Sequence, residues 1–343
     1  MMDLSNRQQT ILALIVRAYT ETVKPIGSKS LIERYNMNVS SATVRNEMSA
    51  LTDAGLLRQP HTSAGRVPTE AGYRYFVRGL LGDSDLPNAE KRMISHQFHQ
   101  AHADIDEWVR LSASVLAQHS RVASLVTTPR PERALFKHLK LIATQGQQVL
   151  LVLVLQGGDV RQQILTLAKF VDQTQLETIA SLVTASCTSK DTDAVAEQID
   201  HFSDLPKDII RLVTDMMERA DAVWAGEIYR DGLTNVLAQP EFANSDTARN
   251  ALRLLEERSF LEEVLANVLS PNVGGVQVVI GGEGGWEELR ECSMVLTRYG
   301  APGYATGALG VIGPTRMAYG RTISAVRYVA GLLSELVVET YAG

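Results

Sequence analysis

Cysteine is scarce in this sequence of 343 residues: only Cys187 and Cys292 occur. Two thiols cannot frame a disulfide scaffold in a chain of this length, and their scarcity fits a reducing compartment. Long apolar runs are missing too. The longest extends from Val149 to Leu155, far short of the about 20 residues that a membrane-spanning helix needs. The N-terminus lacks the basic, then apolar, then small-residue order of a secretory signal, so a cytoplasmic location is expected. Aromatic residues make up 6% and charged residues 21%, against 45% apolar. That balance excludes disordered, collagenous and coiled-coil classes, and the length suggests about two or three domains. A net positive charge is absent as well. With 33 Lys and Arg against 39 Asp and Glu, the chain carries −6, which argues against coating nucleic acid along its whole length.

The charge is unevenly spread. Residues 1–78 hold ten basic and six acidic side chains, or +4, while the other 265 hold 23 and 33, or −10. This asymmetry suggests a small nucleic-acid-facing module on an acidic body.

The residue pattern of the module agrees. Ser5 is placed to cap a helix whose apolar positions Ile11, Leu12, Ile15, Val16 and Tyr19 recur at three- and four-residue spacing. Pro25 and Gly27 end that segment. Ser28 looks like the cap of a short helix through Tyr35, with Leu31 and Ile32 inward. After the Asn36–Val39 connection, Ser40 or Ser41 caps a third helix to Ala54, closed by Gly55. The outline is a helix-turn-helix. On the third helix Val44, Met48 and Leu51 share one side. The rest is small, polar or cationic, as entry into a major groove requires, although a solvated helix face has the same composition. Ser41, Thr43, Arg45 and Asn46, in its N-terminal half, are the candidate base-reading residues. Leu56–Arg58 and Arg66–Pro68 read as two strands around the turn His61–Gly65, a wing, before a helix capped by Thr69 and containing Tyr73, Phe76 and Val77. Lys24, Lys29, Ser40, Arg58, His61, Thr62, Ser63 and Arg66 are the candidates for phosphate and wing contacts.

Past a polar linker at Gly82–Asn88, a helical stretch is expected to about Val126. Val149–Leu155 and Val160–Thr166 read as a β-hairpin around Gly157–Gly158. A helical block follows from Gln173 to about Ala225. Strands are expected at Leu233–Leu237, Val276–Ile280, Met294–Tyr299 and Ala305–Ile312, then a last helix from Pro314. Strands on both sides of a helical block suggest one α+β domain carrying an insertion.

Chemical sites are poorly represented. The strand and glycine-rich loop Val276–Gly285 could cradle phosphate, but it lacks both the Gly-x-Gly-x-x-Gly spacing and the Lys-Ser/Thr of a P-loop. A tight turn is the simpler reading. His96, His99 and His102 lack good further zinc ligands nearby, and no Gly-x-Ser-x-Gly elbow occurs. No catalysis, cofactor or metal is expected.

The segments Ser40–Leu56 and His61–Phe76 resemble the recognition helix and wing of HrcA, the bacterial heat-inducible transcription repressor family. Ile228–Asn235 with Pro240-Glu-Phe242, and Gly310–Met317 with Tyr319, resemble its C-terminal signatures. The sequence departs from the family pattern at Gly284, where an Asn usually follows the Glu. The resemblance implies an α+β multidomain repressor: an N-terminal winged helix-turn-helix and a GAF-like α+β domain with an inserted, mainly helical dimerisation domain. The corresponding limits are 1–82 for the winged helix, 83–104 for a linker and connecting helix, 105–170 with 230–343 for the GAF-like domain, and 171–229 for the insertion. It further implies a homodimer on an inverted-repeat operator (the CIRCE element) of chaperone operons, supported by the GroEL chaperonin and associated with the nucleoid when bound. The competing reading is a small-molecule sensor that uses the GAF-like domain, because such folds often hold ligands.

Overall fold

The structure is a computed structural model and describes residues 4–82, 85–101, 104–131, 133–156, 159–221, 226–242, 256–270, 272–283, 286 and 289–341. The chain divides into two compact units.

The first unit comprises residues 1–128, 227–299 and 308–334. It begins with helices α1 (Asn6–Thr22), α2 (Ser28–Tyr35) and α3 (Ser41–Asp53), the short strands β1 (Leu57–Arg58) and β2 (Val67–Pro68), and α4 (Glu70–Tyr75), which runs on as a π-helical turn at Phe76–Leu80. Helix α1 opens with a reciprocal capping box between Ser5 and Gln8. The predicted stripe Ile11, Leu12, Ile15 and Val16 is buried, and α1 packs on α2, α3 and β2. The helix stops earlier than Pro25, at Thr22, because Val23 turns left-handed (φ 56°). Ser28 is the first helical residue of α2 rather than its cap; that place belongs to Gly27.

Two helices, α5 (Asn88–Gln100) and α6 (Ile105–Ser120), stand where one long helical stretch was expected. Ala101 is extended, and the Asp104 carboxylate caps a new first turn by accepting from the Asp106 amide. Strand β3 (Ala123–Thr127) follows after Arg121 turns left-handed; all five of its residues are buried, which suits a central strand. Six strands form one sheet: β8 (Ile228–Asp231), β3, β11 (Ala305–Pro314), β10 (Cys292–Ala301) and β9 (Gln277–Ile280) in that order, with β4 (Arg130–Pro131) pairing the start of β11. Helix α6 covers β3 and β8. Leu233–Leu237, expected as a strand, is the short helix α10. Gly232 breaks the chain away from β8 at φ 73°, and five apolar-rich residues have no periodicity that separates helix from strand. Helix α11 (Arg258–Val268) follows. The last helix, α12 (Tyr319–Tyr341), begins five residues after Pro314, which is still in β11.

The second unit comprises residues 129–226 with 300–307 and 335–343. Strands β5 (Phe136–Ala143), β6 (Gln148–Leu155) and β7 (Val160–Thr166) form an antiparallel sheet in chain order. The Gly157–Gly158 turn lies outside the described residues. One sheet face shares a single apolar cluster with α7 (Gln173–Cys187), α8 (Thr192–Ala196) and α9 (Asp204–Asp221). These strands therefore share a core with the helical block, whereas residues up to 170 were expected in the flanking α+β domain. The pattern of single residues cannot make that assignment, because a strand's inward face does not name its partner.

Candidate nucleic-acid interface

Helix α3 is built to present its N-terminal half. The Ser40 hydroxyl accepts from the Thr43 amide (3.1 Å) and pairs with the Thr43 hydroxyl (2.9 Å), capping the helix. Ser41 bonds the Ser28 hydroxyl at 2.9 Å and so ties α3 to the start of α2. Val44, Met48 and Leu51 are buried beneath the helix, while Arg45, Asn46 and Ser49 are exposed. Of the four predicted reading residues, Arg45 and Asn46 present their polar groups outward. Ser41 and Thr43 are half-buried and engaged in holding the helix end.

The wing is braced from within. The Gln59 side-chain amide donates to the carbonyls of Thr62 (2.8 Å) and Ala64 (3.1 Å), a role that no sequence signal indicates. His61, Thr62 and Ser63 are exposed at its tip. At its root, the Arg66 and Ile26 backbones exchange two hydrogen bonds (2.8 and 2.9 Å). Only glycine fits next to this bridge: a methyl group on Gly65 would stand 2.4 Å from the Ile26 carbonyl. The Arg66 guanidinium donates to the Thr52 hydroxyl at 3.0 Å, linking the wing to α3. Arg66, expected to hold phosphate, thus braces the wing root through its Nε while its side chain also lines the cleft described next.

Between α3 and the wing lies an open cleft of about 450 Å³, lined by Ile26, Gly27, Arg45, Gln59, Thr62 and Ser63 among others. Arg58 does not line it. Its side chain borders a separate cleft of about 430 Å³ with Glu70, Tyr73, Arg290 and Thr315. Ion pairs on other faces remove cations from consideration: Arg7 meets Glu47, Arg34 meets Glu21 and Arg74 meets Glu70. Lys24, Lys29 and Arg45 are exposed and have no carboxylate at salt-bridge distance among the described residues. The modest +4 excess is thus concentrated by pairing. Arg45 and Arg66, with small neighbours and the Thr62 and Ser63 hydroxyls around one groove-sized cleft, can grip a duplex edge and its phosphates.

Among the described residues the other candidates are engaged in local contacts. Glu283 folds back on the strand end, its carboxylate accepting from the Ile280 amide (3.4 Å); Gly284 and Gly285 lie outside the described residues. His99 bonds the Ser95 carbonyl (2.7 Å), His102 lies outside the described residues, and no group of three potential metal ligands occurs among those described. Burial pushes the Cys292 thiol up to about 12, with Glu291 adding to the effect, so it stays protonated and inert at neutral pH. Among the described residues no helix is long and apolar enough to cross a membrane.

Known proteins match the chain from end to end. Residues 3–78 match the winged helix-turn-helix transcription repressor HrcA DNA-binding family, and residues 106–323 match the HrcA protein C-terminal domain. Relatives described as heat-inducible transcription repressor HrcA include those of Roseiflexus castenholzii, 42% identical over 99% of this chain and 96% of that one, and of Chloroflexus aggregans, 41% identical over 98% and 94%. That of Dehalococcoides mccartyi is 36% identical over 98% and 97%. A crystal structure of a hypothetical protein shares the fold, with a TM-score of 0.59 and 23% identity over 98% of both chains. This chain belongs to the HrcA family of winged-helix, heat-inducible transcription repressors, which are DNA-binding regulators and not enzymes.

Proposed function

We propose that the protein is a cytoplasmic homodimeric repressor of class I heat-shock (chaperone) operons that reads an inverted repeat, the CIRCE element. The open cleft between α3 and the wing, lined by Arg45 and with the neighbouring Asn46 exposed on α3, carries this reading. Arg45 and Asn46 read base edges, while Lys24, Lys29, His61, Thr62 and Ser63 hold the backbone. Ser40, Ser41, Thr43 and Arg66 keep helix and wing in place, and Arg58 supports the opposite side. Two such readers related by a two-fold axis match an inverted repeat.

The dimer is attributed to the second unit, with the insertion spanning about 129–226. The outer face of its sheet supports this: Ile142, Leu150, Val152, Val154, Val160 and Ile164 share one side, and α7–α9 cover only the other. Heat response follows if the body is marginally stable, because warming then lowers the population of the DNA-competent dimer. The GroEL chaperonin that restores it would close a feedback loop on its own synthesis.

The test is a gel shift on CIRCE duplex across a salt series, with and without chaperonin. Wild type should bind with a steep salt dependence, and chaperonin should raise the active fraction. Arg45→Ala should lose about 1–3 kcal/mol and relax one base preference. Unchanged affinity in that variant would remove Arg45 from the interface.

A further inference from the structure

Operator reading makes no use of several signature residues in the C-terminal half, namely Glu241, Arg316, Tyr319 and the Gly281 loop. In the first unit Tyr319 and the Gly281 loop meet α4 of the winged helix, and Arg316 and Glu241 lie near enough to act electrostatically on Tyr73. Arg316 makes a bidentate pair with Glu241 (Nη2 to Oε2 3.1 Å) and donates to the Gln239 side-chain oxygen at 2.6 Å. Tyr319 is fully buried. Its hydroxyl bonds the Thr315 carbonyl (2.6 Å) and the Ser293 hydroxyl (2.9 Å), which fixes the ring 6.0 Å from that of Tyr73 on α4. Gly281, at φ 63°, lies so close to α4 that a methyl group there would stand 2.2–2.6 Å from the Glu70 carboxylate. Glu70 is itself held by Arg74 at 3.0 Å. Two residues along, Glu283 accepts from the Arg78 guanidinium at 2.7 Å while its other oxygen faces the Ile280 amide.

None of the residues in these contacts lines the cleft between α3 and the wing, and the two clefts have no lining residue in common. The signature segments therefore form a seat for the winged helix and leave its reading face open. Orientation matters to a two-site reader. A winged helix that swings on a tether spreads over many positions, and the effective concentration of the second reader at its half-site falls.

We propose that Arg78 and Glu283 are positioning residues: their ion pair, seated on the Gly281–Glu70 and Tyr73–Tyr319 contacts, holds each winged helix at the angle that lets one dimer engage both half-sites. The proposal rests on the dimeric, inverted-repeat reading above. The pair is partly exposed, Arg78 at 63% and Glu283 at 28%, so it acts as a catch of modest strength that can release on warming.

The experiment compares full-length wild type, Glu283→Arg, Glu283→Gln and the swap Arg78→Glu/Glu283→Arg on two duplexes, one with the CIRCE inverted repeat and one with a single half of it. Neither Glu283 substitution changes a residue of the winged helix itself. Glu283→Arg should weaken binding to the inverted repeat by about three- to tenfold and leave half-site binding unchanged. Glu283→Gln should show a smaller loss of the same kind, and the swap should restore wild-type affinity. Equal loss on both duplexes would indicate damage to the fold of the winged helix and overturn the proposal, as would no loss on either or no recovery in the swap. A wild type that prefers the inverted repeat no more than its half would instead overturn the dimeric reading, and the catch with it.

Discussion

A single carboxylate can reveal how the second unit responds to acid. Asp191 caps α8, accepting from the Ala194 amide (3.0 Å), and meets the Arg133 guanidinium at 2.7 Å. The amide first, and Arg133 second, hold its carboxyl below the ordinary value of 3.8. A depressed folded-state pKa stabilises the native state fully above the unfolded-state value, and that contribution is lost as pH falls through the folded value. Asp191→Asn should therefore lower the midpoint of urea unfolding at pH 7, and the gap between variant and wild type should close as pH is brought below about 4. A gap that persists undiminished in acid would assign the effect to the amide side chain and not to the charge. The outward placement of Arg45 and Asn46 is readable from the sequence because a helix places residues by spacing alone. Arg58 is not, since on two strands of two residues each the direction of a side chain depends on what flanks the hairpin.

At the scale of elements, the wing depends on one close approach. The root of the hairpin touches the Ile26 backbone where Gly65 has no side chain, so Gly65→Ala must push the two segments apart. The expected loss is about 1–3 kcal/mol, seen as a lower thermal midpoint, together with weaker CIRCE binding as Thr62 and Ser63 leave the edge of the cleft. An unaltered midpoint would show that the root can spread without strain. The helices of the module are legible because caps and periodicity are local: Ser5, Ser40 and Thr69 each accept the amide three residues on. Leu233–Leu237 and Pro314 mislead for the complementary reason. A short apolar segment takes its form from its neighbours, and a proline tolerated at a helix start is equally tolerated at the end of a strand.

For the whole molecule, the proposed dimer is tested on the outer face of the β5–β6–β7 sheet. Ile164 is 65% exposed in one chain, so Ile164→Asp should leave the fold of the protomer intact. Light scattering should then report a monomer where wild type gives a dimer, and affinity for the inverted repeat should fall to that for a half-site. A dimer that survives the substitution would move the interface elsewhere. Local sequence determined the winged helix, the outward placement of Arg45 and Asn46 on α3 and the motifs that mark the family, because each is set by neighbours within a few positions. Tertiary structure alone decided that Arg66 braces the wing, that the hairpin packs with the helical block, and that Arg78 meets Glu283. The last pair is 205 residues apart in sequence, and a contact across that distance follows from how the packed elements bring the chain together, which no local pattern encodes.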